Sequence, residues 1–401
     1  MSNNPGWHIA RKRRKQKDQP ADLSEVETAR VYKVELPQDG MRADKFVAKR
    51  TPWMSRTKVQ AAFEEGRIRR AGAAIDAGKK LRTGDVVELI LPPPHEDITE
   101  MARIPYDIIF EDEHMFVVSK PPHLIVHPTG GYRYTTLLNA LHLRFKDSGV
   151  FPKLVNRIDK ETSGLILCGK DAAATGKLGK ALEDKTVVKE YLALVEGAVQ
   201  VQHQLIDKPI DQDADAEVSM LRRIDPNGQE ARTEVWVEKQ LGRFTLVRCR
   251  LHTGRMHQIR VHMQSIGHPL VCDHHYGIRD ELLESDLQDP PPPPTRMESP
   301  YGYRDGDSDA DVSDRIRAVD TQKRHEYEAL AKGERVPRGD NDALLLGRCA
   351  LHSHLLRFTH PYTGQELELT APLPPDIAGA VARLDAGRFQ PGTPVPGPNG
   401  A

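Results

Sequence analysis

Two runs of proline, at 92–94 and 290–294, decide how this chain can be partitioned. Proline locks φ and offers no N–H, so neither run can lie inside a helix or a fully paired strand. The first reads as part of a stiff linker, 92–102, closing a compact unit at 41–91. The second lies in an acidic, Pro-rich insertion, 280–342, expected to be largely unstructured apart from one charged helix near 315–332. What remains is a basic leader, 1–40, feeding a short strand at 31–36, and a main body at 103–279 and 343–376. A C-terminal segment, 377–401, ends in a Pro/Gly-rich tail that reads as loose. A length of 401 residues suits such a division into more than one domain.

Local patterns assign elements to these stretches. In the small unit Ser55 can cap a helix with Val59, Ala62 and Phe63 on one face and Gly66 as its stop. Arg67, Arg69 and Arg70 follow, and Gly84-Asp85 turns into a strand at 86–91. In the main body 115–119 and 165–168 are short apolar strand candidates. Residues 187–195 alternate, with Val187, Lys189, Tyr191, Ala193 and Val195 on one face. Residues 244–251 alternate too, placing Arg248 and Arg250 opposite Val247 and Cys249. The body therefore reads as mixed α/β.

Net charge is -1, from 57 Lys and Arg against 58 Asp and Glu, and the total conceals two unlike parts. Residues 280–314 hold eleven acidic residues and two arginines, a net of -9, which leaves +8 for the rest. The unit at 41–91 alone has twelve Lys and Arg against six Asp and Glu. No stretch approaches the ~18–20 apolar residues of a membrane helix. The basic run at 11–17 is followed by no apolar core, which argues against a secretory signal. Cys168, Cys249, Cys272 and Cys349 form no C-x-x-C pair, so a zinc ribbon or disulfide scaffold is disfavoured and a cytoplasmic protein expected. No coiled-coil heptad points to a dimer, and a monomer is favoured.

Three blocks carry local chemistry. In Asn156-Arg157-Ile158-Asp159-Lys160-Glu161-Thr162-Ser163-Gly164 a carboxylate stands between cations beside a turn that opens an apolar strand. This is either a site at an element end or an ordinary surface ion pair. The stretch 251–262 is dense in His and Arg, fitting a metal site or an anion-facing helix. His257 and His262 are five apart and fall on different helix faces, so no metal is expected. The third block, 351–361, is strand-like. No phosphate-binding, dinucleotide or nucleophile-elbow motif occurs.

Taken in order, Lys120-Pro121-Pro122-His123-Leu124-Ile125-Val126-His127-Pro128, the Asp159 block, Lys189-Glu190-Tyr191-Leu192-Ala193, the block at 257–277 and that at 351–374 closely resemble the RluA-type family of RNA pseudouridine synthases. The unit at 41–91 resembles the RNA-binding module named after a small-subunit ribosomal protein of the S-four type. The resemblance implies an α+β architecture: a pseudouridine synthase fold with a mixed, largely antiparallel sheet and flanking helices, plus a small N-terminal α/β RNA-binding domain. It implies an isomerase without cofactor or metal, acting on uridine in structured RNA, ribosomal RNA before transfer RNA. A catalytically silent assembly factor is the alternative from another class.

The same resemblance places the essential carboxylate on Asp159, to trap an electron-poor sugar or remove a sugar proton. Arg260 would pair with it, Tyr191 would stack on the base, and Leu356 would form part of an apolar wall. Arg157 would fill the space vacated by an extruded uridine. Arg255, His257, Arg56, Lys58, Arg67, Arg69 and Arg70 are the expected RNA contacts. Asn156 stands where many members carry His. The acidic insertion is expected to lie away from the RNA face, since its charge repels phosphate.

Overall fold

The computed structural model describes residues 23, 28–52, 54–91, 96, 98–129, 132–214, 216, 220–288, 291–294, 296, 309–339 and 341–386. The first part of the leader, the proline run at 92–94 and the tail beyond 386 lie outside them. The chain divides into two units, Met1–Glu100 and Met101–Ala401.

In the first unit β1 (Ala29–Lys33), α1 (Ala43–Arg50), α2 (Arg56–Glu64), β2 (Ile68–Arg70), β3 (Ala73–Ala74) and β4 (Val86–Ile90) follow in order. The strands form one antiparallel sheet in the order β1-β4-β2-β3. Ser55 caps α2, its side chain accepting from the Lys58 N–H at 3.2 Å. Val59, Ala62 and Phe63 face inward onto Phe46, Ile68 and Leu89. Because β1 pairs with β4, this unit begins upstream of residue 41, inside the stretch read as leader.

The second unit opens with β5 (Asp107–Glu111), β6 (Met115–Lys120), α3 (Leu137–Arg144), β7 (Lys153–Leu154), β8 (Ser163–Gly169), α4 (Ala172–Glu183) and β9 (Val188–Glu196). Then come β10 (His203–Asp207), β11 (Ile210–Gln212), β12 (Arg222–Ile224), β13 (Arg232–Leu241), β14 (Phe244–Leu251) and α5 (Gln258–Gln264). Past these lie β15 (Leu282–Leu283), α6 (Asp309–Ala331), β16 (Val336–Arg338), β17 (Asp342–Leu346), β18 (Leu351–Thr359), β19 (Glu366–Thr370) and α7 (Pro375–Ala386).

Ten strands form the main sheet, in the order β10-β13-β14-β9-β18-β8-β6-β5, with β19 on β18 and β7 on β8. Every pair is antiparallel except β18 with β8. Strand β18, which follows the insertion, thus joins the two halves at the sheet centre. Alternation sends Phe116, Ile166, Tyr191 and Val247 to one face, against Leu141 of α3 and Ile259 of α5. The other face carries Val117, Leu165 and Leu167 under Leu178 of α4, and Leu194 and Leu246 under Ile377 of α7. Helices therefore flank the sheet on both faces.

The stretch 280–342 departs from the expectation of a largely unstructured insertion. It holds α6, and β15, β17 and β16 form a small antiparallel sheet. Leu282, Leu345 and Leu346 pack with Ile377 of α7 in one buried cluster. Among the described residues some of its carboxylates are paired: Arg338 Nη2 lies 2.7 Å from both Glu281 and Glu326. Net charge concealed this, since it counts carboxylates without their partners.

Candidate active site

The segment from β7 to β8 carries Asp159. Asn156 anchors it, its Oδ1 accepting from the Leu167 N–H of β8 at 2.8 Å. At its far end Ser163 and Gly164 enter β8 opposite His352 and Ser353 of β18. Gly164 has φ +105, and a Cβ there would collide with the Ser353 carbonyl, so no other residue fits without a shift. Asp159 is thus placed by the central strand pair.

From the other side α5 brings Arg260. The preceding turn is knitted by Gln258, whose Oε1 accepts from Thr253 Oγ1 at 2.8 Å and the Arg255 N–H at 3.0 Å. Arg260 Nη1 donates to Asp159 Oδ2 at 3.2 Å. Its remaining edge makes a fork onto Asp273, Nε to Oδ2 at 2.6 Å and Nη2 to Oδ1 at 2.7 Å. Asp273 is fully buried, which raises its pKa. The Arg260 cation and the N–H groups of Tyr276 and His275 outweigh that and hold it below the usual carboxylate range. Burial disfavours the Arg260 cation, yet Asp273 and then Asp159 carry its pKa well above normal. Arg260 is therefore a fixed cation, oriented by one carboxylate and presented to another.

His257 precedes α5 in a left-handed conformation, φ 57. Burial first, and then Arg260, press its pKa down to about 4, so it is neutral near pH 7. Its Nδ1 lies 2.8 Å from the Tyr276 hydroxyl, which itself accepts from the Arg222 N–H at 2.9 Å. The His257 Nε2 lies 3.9 Å from Asp159 Oδ2. His262, by contrast, is spent on Thr233 Oγ1 and the Lys208 carbonyl, at 2.8 and 2.9 Å. Among the described residues no group of three or more His, Cys, Asp or Glu is arranged to hold a metal ion.

Tyr191 projects from β9 into the same cluster as Ile158. Burial pushes its phenol up to about 12 against a hydrogen bond with Ser353, and the Asp159 charge bears on it too. The structure thus gathers Asp159, Arg260, Tyr191 and His257. Leu356 is 1% exposed and packs with Phe358, Leu165 and Leu167 in a different cluster from Tyr191. Arg157 and Arg255 are exposed, Arg255 bordering a cleft of about 260 Å³ with Asp211, Gln212 and Gln229. Arg56, Lys58 and Arg69 are exposed and Arg67 and Arg70 half-buried, all in the first unit. Neither Asp273 nor Tyr276 is among the site residues expected from the sequence. No pattern marks a carboxylate thirteen residues beyond its arginine.

The family described as "RNA pseudouridylate synthase" matches residues 114–265. The "Uncharacterized RNA pseudouridine synthase YlyB" of Bacillus subtilis is 32% identical over 352 residues, spanning 86% of this chain and 95% of that protein. The "Ribosomal large subunit pseudouridine synthase D" of Nitrosomonas europaea is 33% identical over 348 residues, 86% of this chain and 85% of the relative. The "Uncharacterized RNA pseudouridine synthase" of Aquifex aeolicus is 38% identical over 265 residues, 64% of this chain and 82% of the relative.

The chain belongs to the RNA pseudouridine synthase family. The ten-stranded, largely antiparallel sheet with its flanking helices is the pseudouridine synthase fold expected from the motifs. The matched stretch contains Asp159, Tyr191, His257 and Arg260 and ends before Asp273 and before α6. Among the described residues no helix is long and apolar enough to cross a membrane.

Proposed function

We propose that this RNA pseudouridine synthase converts uridine to pseudouridine in ribosomal RNA of the large subunit, with Asp159 as the reacting carboxylate. The contact that carries the assignment is Arg260 Nη1 on Asp159 Oδ2, at 3.2 Å, with Arg260 itself locked by Asp273. The reaction breaks the bond between the sugar carbon C1′ and N1 of uracil, turns the base, and joins C1′ to C5. The C5 proton is lost and N1 gains one, so composition is unchanged. Asp159 can act by attack on C1′ or by taking a sugar proton, and in both routes it is the carboxylate that Arg260 orients. Tyr191, protonated and buried, offers a ring for the base to stack on.

The small first unit is read as an accessory RNA-binding module resembling the S-four type. Exposed Arg56, Lys58 and Arg69 on α2 and β2 support that reading by charge. Arg157, exposed two residues before Asp159, is the side chain to occupy the place of an extruded uridine. Cytoplasmic action as a monomer completes the proposal. The ribosomal target follows the name of the Nitrosomonas europaea relative.

Asp159→Asn should abolish pseudouridine formation, read by carbodiimide labelling of RNA, while RNA binding in a gel-shift assay persists. Product at the wild-type rate would remove Asp159 from the chemistry. Mapping pseudouridines in ribosomal and transfer RNA with and without this gene tests the target. Loss confined to transfer RNA would overturn the ribosomal assignment.

A further inference from the structure

Strand β9 carries a lysine that the fold leaves without a counterpart. Among the described residues of the second unit six lysines are buried or half-buried: Lys120, Lys160, Lys170, Lys189, Lys208 and Lys323. Five have oxygen partners. Lys120 Nζ donates to the Pro121 and Lys160 carbonyls, at 2.8 and 3.0 Å. Lys160 and Lys170 pair with Asp320 and Glu111, at 2.5 and 2.8 Å. Lys208 and Lys323 donate to the Ser265 and Gly347 carbonyls, both at 3.0 Å. Lys189 alone makes no hydrogen bond, ion pair or ring contact with any described residue. Burial draws its pKa below the ordinary lysine value, with no carboxylate to oppose the shift.

The surroundings of this ammonium are those of a binding group. Its Nζ lies 3.6 Å from the place a Cβ would take on Gly254. Gly254 is exposed and stands on the turn between β14 and α5, three residues before His257. It also borders the cleft of about 260 Å³ that Arg255 and Gln229 line. Gly254 has no side chain to stand between the ammonium and a strand lying along that turn. On β9 itself Lys189 comes two residues before Tyr191. The neighbouring carboxylate is taken, since Glu190 accepts from Arg248 at 3.2 Å and from Arg250 at 2.6 and 2.9 Å. Leaving a cation half-buried and unpaired costs free energy in the unliganded protein. An ammonium is a compact point charge with three donors, which suits a phosphate oxygen.

We propose that Lys189 is a substrate-binding residue that takes a phosphodiester oxygen of the RNA strand beside the target uridine. The charge left uncompensated in the free protein finds its counter-ion only in the complex. This rests on the reading of Asp159 as the reacting group, which puts the uridine beside Tyr191 and His257.

Binding of full-length protein to transcribed large-subunit RNA, followed by fluorescence anisotropy at several salt concentrations, tests it. Lys189→Met keeps an unbranched side chain and removes the charge. Its Kd should rise about five- to eightfold near 0.1 M salt. The slope of log Kd against log salt should become shallower by about 0.7–0.9, the share of one phosphate contact. Lys189→Arg should keep the wild-type slope, because the charge remains. Thermal unfolding without RNA separates binding from structure. Lys189→Met should melt no lower than wild type, since it removes a half-buried charge that nothing satisfies. Weaker binding at an unchanged slope would mean contact with a base and not a phosphate, and overturns the proposal. An equal loss of slope in Lys189→Arg, or a lowered melting temperature in Lys189→Met, overturns it too. Asp159→Asn runs alongside. Product from that variant refutes the underlying reading, whereas an inert Asp159→Asn with a wild-type slope in Lys189→Met refutes only the role of Lys189.

Discussion

Arg260 is shared by two carboxylates that differ in exposure, and the difference sets their roles. The Asp273 side chain is wholly buried and takes a two-point fork, whereas that of Asp159 is 34% exposed and takes one bond. Removing the buried partner leaves a guanidinium stranded in the interior. Asp273→Asn should therefore destabilise the protein by about 3–5 kcal/mol, measured by urea unfolding. Asp159→Asn should cost far less, because water reaches that carboxylate. Asp159, Tyr191 and Arg260 each sit in a recognisable local string, so the sequence could single them out, and the structure brings them together. The sequence could not single out Asp273 and Tyr276, since their partners are decided by how the chain folds back past α5.

Among the elements, the parallel contact of β8 with β18 matters most to the site. It forms only between His352–Ser353 and Ser163–Gly164, at the point where the Asp159 loop enters the sheet. Gly164→Ala would put a methyl group against the Ser353 carbonyl at a φ that side chains avoid. A cost of at least about 1–3 kcal/mol is expected from the backbone strain alone, read from thermal unfolding, with turnover falling as the loop shifts. The alternating pattern predicted β9 and β14 well, but not that β18 would separate β9 from β8. Strand order is a long-range outcome that period-2 alternation does not encode. The same holds for α6: a charged helix near 315–332 was legible, and its docking beside Lys160 was not.

For the whole molecule, buried histidines set the response to acid. His257 and His352 both have pKa values pushed from 6.5 down to about 4, in each case by burial first. A base whose folded pKa is depressed contributes stability above its unfolded value, and that contribution is lost as pH falls toward the folded value. Thermal stability should therefore decline between about pH 6.5 and 4. His352→Gln should flatten that decline in a series of melting curves at stepped pH. An unchanged slope would show that the His352 imidazole is not kept neutral by folding. Glu161 acts lower still: its carboxylate, held at about 2, contributes above its ordinary 4.5 and is lost only below that.

The order of the motifs, through their resemblance to a known family, pointed to the family and to a mixed, largely antiparallel architecture, and it set the expectation that Asp159, Tyr191 and Arg260 form the site, because such strings are local properties of a chain. Charge counted by segment determined only that acidic and basic parts are separate along the chain. Where the described part of the acidic stretch lies was decided by tertiary structure, through apolar side chains such as Leu282 that pack in one cluster with Ile377 of α7 and through ion pairs such as those of Arg338 with Glu281 and Glu326. Charge acts through distance and partners, and both come into being only when the chain folds.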